Sequence, residues 1–307
     1  MQHITSEDIH LTNTAVALGK FEGVHLGHQL LIDEIVRLKK FHYNSVVFTF
    51  DRPPARLFGK KSAADQIYTK EERKSILQRK GVDVLIEHPF TREFANMKPD
   101  TFVRRILIGK VGARKIIVGT DFRFGRNRSG DVDTLRYLAE DCDYDLIVVD
   151  KLQKDGRDIS STRVKEALKE ANMEEAASLL GRPFTISGEV IHGKELGRTI
   201  HVPTVNIPLD PDKYLPPKGV YITTADIDGK EVWGVTNIGL RPTVDRTATP
   251  NVETYFLDYE GDLYGKDLEL QFHHHVRPEK KFESLDQLKS QLDQDIAYAG
   301  TYKEKHQ

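Results

Sequence analysis

Two histidines placed three apart behind a short apolar run carry the sharpest chemical signal in this sequence, Gly19-Lys-Phe21-Glu-Gly23-Val-His25-Leu-Gly27-His28. That spacing puts His25 and His28 on one face of a helix that begins there. The unpaired N–H groups and the dipole of a helix start favour an anion. Gly19, Gly23 and Gly27, with Phe21 among them, let the backbone come close to a ligand. Two imidazoles at that point can donate N–H bonds to phosphate oxygens as charge builds during a transfer. The plainer alternative is a pair of surface histidines at a helix start.

A second cluster, Gly119-Thr-Asp121-Phe122-Arg123-Phe124-Gly125-Arg126-Asn-Arg128, mixes guanidinium groups with aromatic faces. It suits a flat ring that bears phosphate, with Phe122 or Phe124 against the ring and arginines such as Arg126 supplying charge. A basic surface loop is the alternative. A third, Ile159-Ser160-Ser161-Thr162-Arg163-Val164-Lys165, opens another helix. Its hydroxyls are good N-caps, yet cations in a first turn oppose the dipole unless an anion sits nearby. Capping and phosphate binding both fit.

Further along, the loop Gly193-Lys-Glu-Leu-Gly197-Arg198 can fold its N–H groups over phosphates. In Pro203-Thr204-Val-Asn206, the Thr204 hydroxyl and the Asn206 amide oxygen suit Mg²⁺, the hard ion that bridges ATP oxygens. Taken alone this is an ordinary hairpin loop, and Glu253, in Val252-Glu253-Thr-Tyr-Phe-Leu-Asp258, is an ordinary solvent-facing strand residue. His273, His274 and His275 are successive strand residues that alternate faces, so at most His273 and His275 converge. Cys142 lies in an acidic stretch and does not read as a nucleophile.

These residues need elements to hold them. In the first half, β-branched runs at Thr14–Gly19, Ser45–Phe50, Val82–Glu87, Lys115–Gly119 and Asp145–Asp150 alternate with helical stretches near 26–40, 69–80, 99–109 and 131–141. This predicts a doubly wound α/β domain over 1–182, with a parallel sheet covered on both faces. Ligands of such sheets sit at the carboxyl ends of strands, where the chain switches direction. Met173–Leu180 reads as a short helix ending at Gly181. After Arg182-Pro183 the period changes to closely spaced strands, Ile186–Ile191, Gly219–Ile227, Glu231–Asn237, Val252–Asp258 and Asp267–Phe272. An antiparallel β-barrel over 183–307 is predicted, capped by a C-terminal helix at Ser284–Ala297.

Composition bounds the function. At 307 residues the chain is about twice a usual domain. Forty-five Lys and Arg against 47 Asp and Glu give a net charge of −2, which speaks against a nucleic-acid partner. No apolar run approaches the roughly 18–20 residues of a membrane span. One cysteine forbids an intrachain disulfide, and with no signal-like N-terminus the cytoplasm is the expected location. Oligomeric state is not legible.

The three first-half loops resemble those of HxGH nucleotidyltransferases, and more narrowly the FMN adenylyltransferase module of bacterial bifunctional riboflavin kinase/FAD synthetases, over the whole of 1–182. The second half resembles the riboflavin kinase module over 183–307. The resemblance there is carried by Pro203-Thr204-Val-Asn206, Asn237-Ile-Gly239-Leu-Arg241-Pro242-Thr243, Glu253 with Asp258, and Arg277-Pro-Glu279. The resemblance implies a multifunctional transferase that takes riboflavin, FMN and ATP with Mg²⁺ and yields FMN and FAD. It implies that His25 and His28 stabilise departing pyrophosphate, and that Asp121 and its neighbours lie at the nucleotide. Ser160, Thr162 and Arg163 would hold ATP phosphates. Glu253 would be the base toward the ribityl hydroxyl, Thr204 and Asn206 would bind Mg·ATP, and Arg277 would lie in a flap near the flavin. Four positions depart from the family pattern: Glu22 for Asp, Pro53 for His, Lys165 for Arg, and His201 for Gly. Pro53 bears on adenylyl transfer and His201 on closure of the kinase loop. Retention of only one activity, or a non-catalytic flavin- or nucleotide-responsive regulator, are the alternatives.

Overall fold

The computed structural model describes residues 1–52, 66–192, 203–241 and 249–306. Pro53, Gly193, Gly197, Arg198 and His201 lie outside the described residues. The described chain divides into two compact units, residues 1–52 with 70–161, and residues 66–69 with 162–306.

The first unit is built on β1 (Gln2–Ile4), β2 (Thr14–Leu18), β3 (Asn44–Phe50), β4 (Val84–His88), β5 (Ala113–Gly119) and β6 (Asp145–Val149). They form one parallel sheet in the order β1-β4-β3-β2-β5-β6. β2 and β4 are buried at every residue, as strands covered on both faces must be. Helices α1 (Leu26–Arg37), α2 (Lys70–Arg79) and α3 (Val132–Ala139) cross between strands. A short helix at Pro99–Thr101 runs on as a π-helix through Phe102–Ile108 and buries Phe102, Val103, Ile106 and Leu107 in the core. From β2 the chain winds outward through β3 to β4, then crosses back to β5 on the other side of β2. The switch point therefore lies between β2 and β5, beyond whose carboxyl ends lie the 19–28 and 119–128 segments. The edge strand β1 was not expected from sequence; three residues are too few to show a period.

The second unit opens with α4 (Ser161–Lys169) and α5 (Met173–Leu180), which ends on Gly181 in the left-handed conformation at φ 69°. Strands β9 (Phe184–Glu189), β10 (Val205–Pro208), β11 (Gly219–Ile227), β12 (Lys230–Arg241), β13 (Thr249–Phe256) and β14 (Asp267–Pro278) follow; β7 (Gln153–Lys154) and β8 (Arg157–Asp158) are a small hairpin of the first unit. The six pair antiparallel in the order β10-β13-β12-β11-β14-β9. An Ile191–Asn206 bridge joins the chain after β9 to β10 and brings the sheet close to a closed barrel. A C-terminal helix, α6 (Leu285–His306), packs Ile296, Ala299 and Tyr302 on the outer face against Val220, Ile222, Trp233 and Val235.

The histidine run on β14 does not alternate as simple strand geometry predicts. Register shifts between β11 and β14 send His273 to Trp233 and Thr224, and His274 to Glu174 and Tyr298. Among the described residues no group of three or more His, Cys, Asp or Glu side chains could hold a metal.

Candidate active sites

In the first unit the β2–α1 turn is strained. Phe21 and Val24 have φ of 47° and 42°, conformations that cost about 1–3 kcal/mol each in residues with a Cβ. A β-branched residue there is a true outlier, and such outliers cluster at functional sites. Gln29 helps hold the turn by donating its amide to the Val24 carbonyl at 3.1 Å. The strain delivers His25 to the N-cap of α1, where its Nδ1 accepts from the His28 N–H at 3.3 Å. An accepting Nδ1 puts the proton of the neutral His25 ring on Nε2.

The His25 and His28 rings stack at 3.7 Å between centroids and 19° between planes, and Phe21 lies against His28 at 5.1 Å. Burial, and then the electrostatic influence of the neighbouring His25 imidazole, hold the His28 imidazole well below the usual histidine range. His28 is thus neutral at pH 7, and its buried Nδ1 has no hydrogen-bond partner among the described residues. Gly19 and Gly23 complete the turn; a Cβ on Gly19 would stand 3.1 Å from the Phe21 ring.

The other two loops gather at the same end of the sheet. A Cβ on Gly27 would stand 3.6 Å from the carbonyl of Ile159, so the 159–161 segment passes the start of α1. Lys151 bridges Asp121 at 3.1 Å and Asp158 at 3.0 Å, tying the loop after β5 to the hairpin after β6. Phe124 is buried against Phe102, with Phe122 stacked over it at 5.5 Å, so the more accessible ring is Phe122. Arg126 is exposed, its backbone N–H donating to Met97. Gly125 has φ 70°, and a Cβ there would strike Pro99 at 2.7 Å.

Sequence reading missed an aromatic wall at the ends of β3 and β4. Phe50 meets Phe90 at 4.8 Å and Phe94 at 5.5 Å, while His88 lies 4.4 Å from Phe94. Burial lowers the His88 pKa. Single aromatic residues separated by some forty positions leave no local pattern to find.

The 159–165 motif divides between the two units. Ser160 and Ser161 end the first, whereas Thr162 and Arg163 begin α4 in the second. The Arg163 guanidinium is buried and paired with Glu175 at 2.7 Å. Its charge in the first turn of α4 is met by that carboxylate. Thr162 is exposed.

On the barrel, register brings the second set of side chains together. Asn206 on β10 faces Glu253 on β13, which faces Asn237 on β12; Asn237 faces Val220 on β11, and Val220 faces Arg277 on β14. Directly opposed residues share a face, so one row runs across five strands. This is the face that α6 covers further along. Asn251 donates to Glu253 Oε1 at 2.8 Å and to Asn206 Oδ1 at 2.9 Å. Thr204, half-buried, precedes β10. Arg277 forks onto Asp295 of α6 with contacts of 3.0 and 2.7 Å, and so anchors that helix to the barrel. Asp295 is itself 2% exposed. Neither Asn251 nor Asp295 was expected from sequence, because cross-strand and helix–strand partners carry no fixed spacing.

Cys142 is buried, and that burial raises its thiol pKa, which leaves it unreactive.

Comparison with known proteins agrees with both halves. Residues 7–163 match the FAD synthetase family and residues 180–303 match the riboflavin kinase family. The bifunctional riboflavin kinase/FMN adenylyltransferase of Escherichia coli (strain K12) is 36% identical over 282 residues, covering 91% of this chain and 90% of its own. The protein of the same name from Buchnera aphidicola subsp. Acyrthosiphon pisum is 35% identical over 294 residues, 95% of this chain and 94% of that one. A solved structure named macrolide-efflux protein, from Streptococcus pneumoniae, superposes with a TM-score of 0.85 at 30% identity, over 97% of this chain and 99% of that one. No helix among the described residues is long and apolar enough to cross a membrane.

Proposed function

The chain belongs to the bifunctional riboflavin kinase/FMN adenylyltransferase family, and from that premise we propose that it makes FAD in two ATP-dependent steps, one on each half of the sequence. The observation that carries this reading is the 36% identity to a bifunctional relative over nine-tenths of both chains. We divide the work at 182/183, the 1–182 stretch transferring adenylyl groups and 183–307 phosphorylating riboflavin.

On the barrel, the ribityl hydroxyl of riboflavin attacks the γ-phosphorus of ATP. Glu253 takes the hydroxyl proton, a contribution of about 10²–10⁴-fold. ADP leaves, and FMN is the product. Gly193, Gly197 and Arg198 lie outside the described residues; in this reading they serve the ATP phosphates. Arg277 orders the flap beside the flavin through its hold on Asp295.

An ion that arrives with ATP needs only one or two protein oxygens, since Mg²⁺ keeps water and phosphate ligands. Thr204 and Asn206 fit that demand. The Asn206 amide oxygen carries one bond from Asn251 and has a second lone pair to offer. When bound, Mg²⁺ would neutralise charge on the transferring phosphoryl group.

On the sheet, an oxygen of the FMN phosphate attacks the α-phosphorus of ATP and expels pyrophosphate. No protein nucleophile is required, because the attacking group is already an anion. The His25 Nε2–H and the neutral His28 ring offer uncharged imidazoles to the leaving group, while Gly19, Phe21, Gly23 and Gly27 shape the turn around the phosphates. Asp121 and Ser160 belong to the nucleotide side. Phe124, through the Phe122 ring stacked on it, and Arg126 belong to the flavin side. Donors set in place before reaction are typically worth ~10²–10³-fold each. The reading places the enzyme in the cytoplasm, where ATP is at hand.

Incubating the full chain with riboflavin, Mg²⁺ and ATP, then separating flavins by chromatography, should yield FAD. Accumulation of FMN alone leaves only the kinase, and unchanged riboflavin overturns the reading. Glu253→Ala should abolish FMN formation while FMN is still converted to FAD; loss of both together refutes the division of labour.

A further inference from the structure

We propose that Asn251 is a positioning residue of the kinase site: its side-chain amide links the Glu253 carboxylate and the Asn206 carboxamide in one hydrogen-bonded chain, and so aims the base and sets which end of Asn206 meets the nucleotide. The proposal rests on the reading of Glu253 as the base.

The geometry is direct. Asn251 stands two residues before Glu253 on β13, hence on the same face, and is only 7% exposed. Its Nδ2 donates to Glu253 Oε1 at 2.8 Å and to Asn206 Oδ1 at 2.9 Å. Asn206, itself 3% exposed, sits across from Glu253 in the β10–β13 register. Both hydrogens of one amide nitrogen are thereby used on two strands.

Donor and acceptor logic sets the direction of the chain. An ionised carboxylate only accepts, so Asn251 must turn its NH₂ toward Glu253. The second hydrogen of that NH₂ then requires an oxygen on Asn206. The carboxamide orientations, which are interchangeable in isolation, are thus both dictated by Glu253. Asn206 consequently turns its Oδ1 toward Asn251, with one lone pair of that oxygen taken and the other open, and its NH₂ to the opposite side. Few side chains could replace Asn251. Serine has one hydrogen to give, glutamine is a methylene too long, and aspartate would set an acceptor against two acceptors.

Opposite Glu253 on β12 is the neutral Asn237. Beyond the end of β14, the Glu279 carboxylate approaches Gly239, the residue facing Asn251; a Cβ on Gly239 would stand 2.8 Å from Glu279 Oε1 and 2.9 Å from Asn237 Nδ2. Arg277, on the same row, is committed to Asp295 of α6. Among the described residues, Asn251 is therefore the donor that faces both Asn206 and the base.

Two variants test this in the full chain. Asn251→Leu keeps the branched outline and removes both hydrogens; Asn251→Asp conserves shape and replaces the donor with an acceptor. Both should lower kcat for riboflavin phosphorylation by about 10–100-fold, the scale of a lost hydrogen bond to a charged group, with a smaller change in the KM for riboflavin. FMN-to-FAD conversion by the same preparations, expected to stay within about two-fold, reports that the chain is folded. If wild-type protein phosphorylates riboflavin and both variants match it, the proposal is overturned while the Glu253 reading stands. A KM for riboflavin that rises as much as kcat falls, or an equal loss of FMN-to-FAD conversion, assigns Asn251 to packing and overturns it as well. If wild-type protein leaves riboflavin unchanged, the kinase reading itself fails.

Discussion

Adding one methyl group at Gly27 should separate catalysis from stability in the adenylyl-transfer site. Gly27 is the second residue of α1, and at a helix position alanine is favoured over glycine by about 1 kcal/mol. Helix propensity alone therefore predicts a more stable protein. The new Cβ, however, would stand 3.3 Å from both Cε1 and Nδ1 of His25, so the ring must retreat by a few tenths of an ångström. His25 has no slack: it stacks on His28 at 3.7 Å, and its Nδ1 carries the 3.3 Å bond from the His28 N–H. A misplacement of about 1 Å costs roughly 10²-fold in rate, so a retreat of about 0.3–0.5 Å scales to a loss of roughly 4–10-fold. The assay is pyrophosphate release from FMN and ATP, with riboflavin phosphorylation by the same Gly27→Ala protein as the control and thermal unfolding alongside. The expected result is slower FAD formation, unchanged kinase rate and an equal or higher midpoint. FAD formation at the wild-type rate would refute the claim that ring placement matters, and a parallel loss of both activities would refute its locality.

The depressed pKa of His28 has a consequence for stability. Burial first, and the neighbouring His25 imidazole second, keep the folded ring neutral, whereas the unfolded chain takes up a proton as pH falls through about 6.5. The stabilisation is thus complete above that value and is lost as pH drops toward the folded pKa. The urea midpoint should be higher at pH 7.5 than at 5.5, and His28→Asn should shrink the difference; an undiminished difference counts against the assignment. The Arg277–Asp295 pair should respond asymmetrically. Arg277→Leu strands a carboxylate that is 2% exposed and should cost about 3 kcal/mol or more, whereas Asp295→Leu leaves a guanidinium, 19% exposed, that can turn to water and should cost about half as much. Equal costs in denaturant titrations would contradict this.

What was legible in the sequence is what has a short period. The strand runs at 14–19, 45–50 and 115–119 lie on β2, β3 and β5, and the turn chemistry at Gly181 is the left-handed cap of α5. The paired histidines could be placed on a helix start because cap and first turn are contiguous. What was not legible depends on partners distant along the chain. Arg163 read as a helix-start cation that calls for an anion, and the fold shows Glu175, from the next helix, beside it. Phe122 or Phe124 read as the apolar face, and only the fold shows that Phe124 lies beneath Phe122. The strand β10 is four residues long and takes its place from pairing with β13 rather than from any period of its own.

The two sites hold their chemistry by different backbone devices, and this bears on how each can fail. The histidine site is local: two residues at positive φ and a helix start place both rings within ten positions of chain. The barrel site is a register. A slip of one residue in β13 would turn Glu253 and Asn251 inward and bring Val252 and Thr254 to the outer face. What resists the slip lies on the opposite side of the same strand. Val252, Thr254 and Phe256 are all buried, and the Thr254 hydroxyl bonds Thr236 at 2.8 Å, which in turn bonds Thr223 at 2.7 Å. Those three hydroxyls are satisfied inside the barrel only in the observed register, and leaving one unpaired there would cost about 1–3 kcal/mol. The polar chain in the interior therefore keeps the base and its amide partners on the outer face, though none of its threonines touches them.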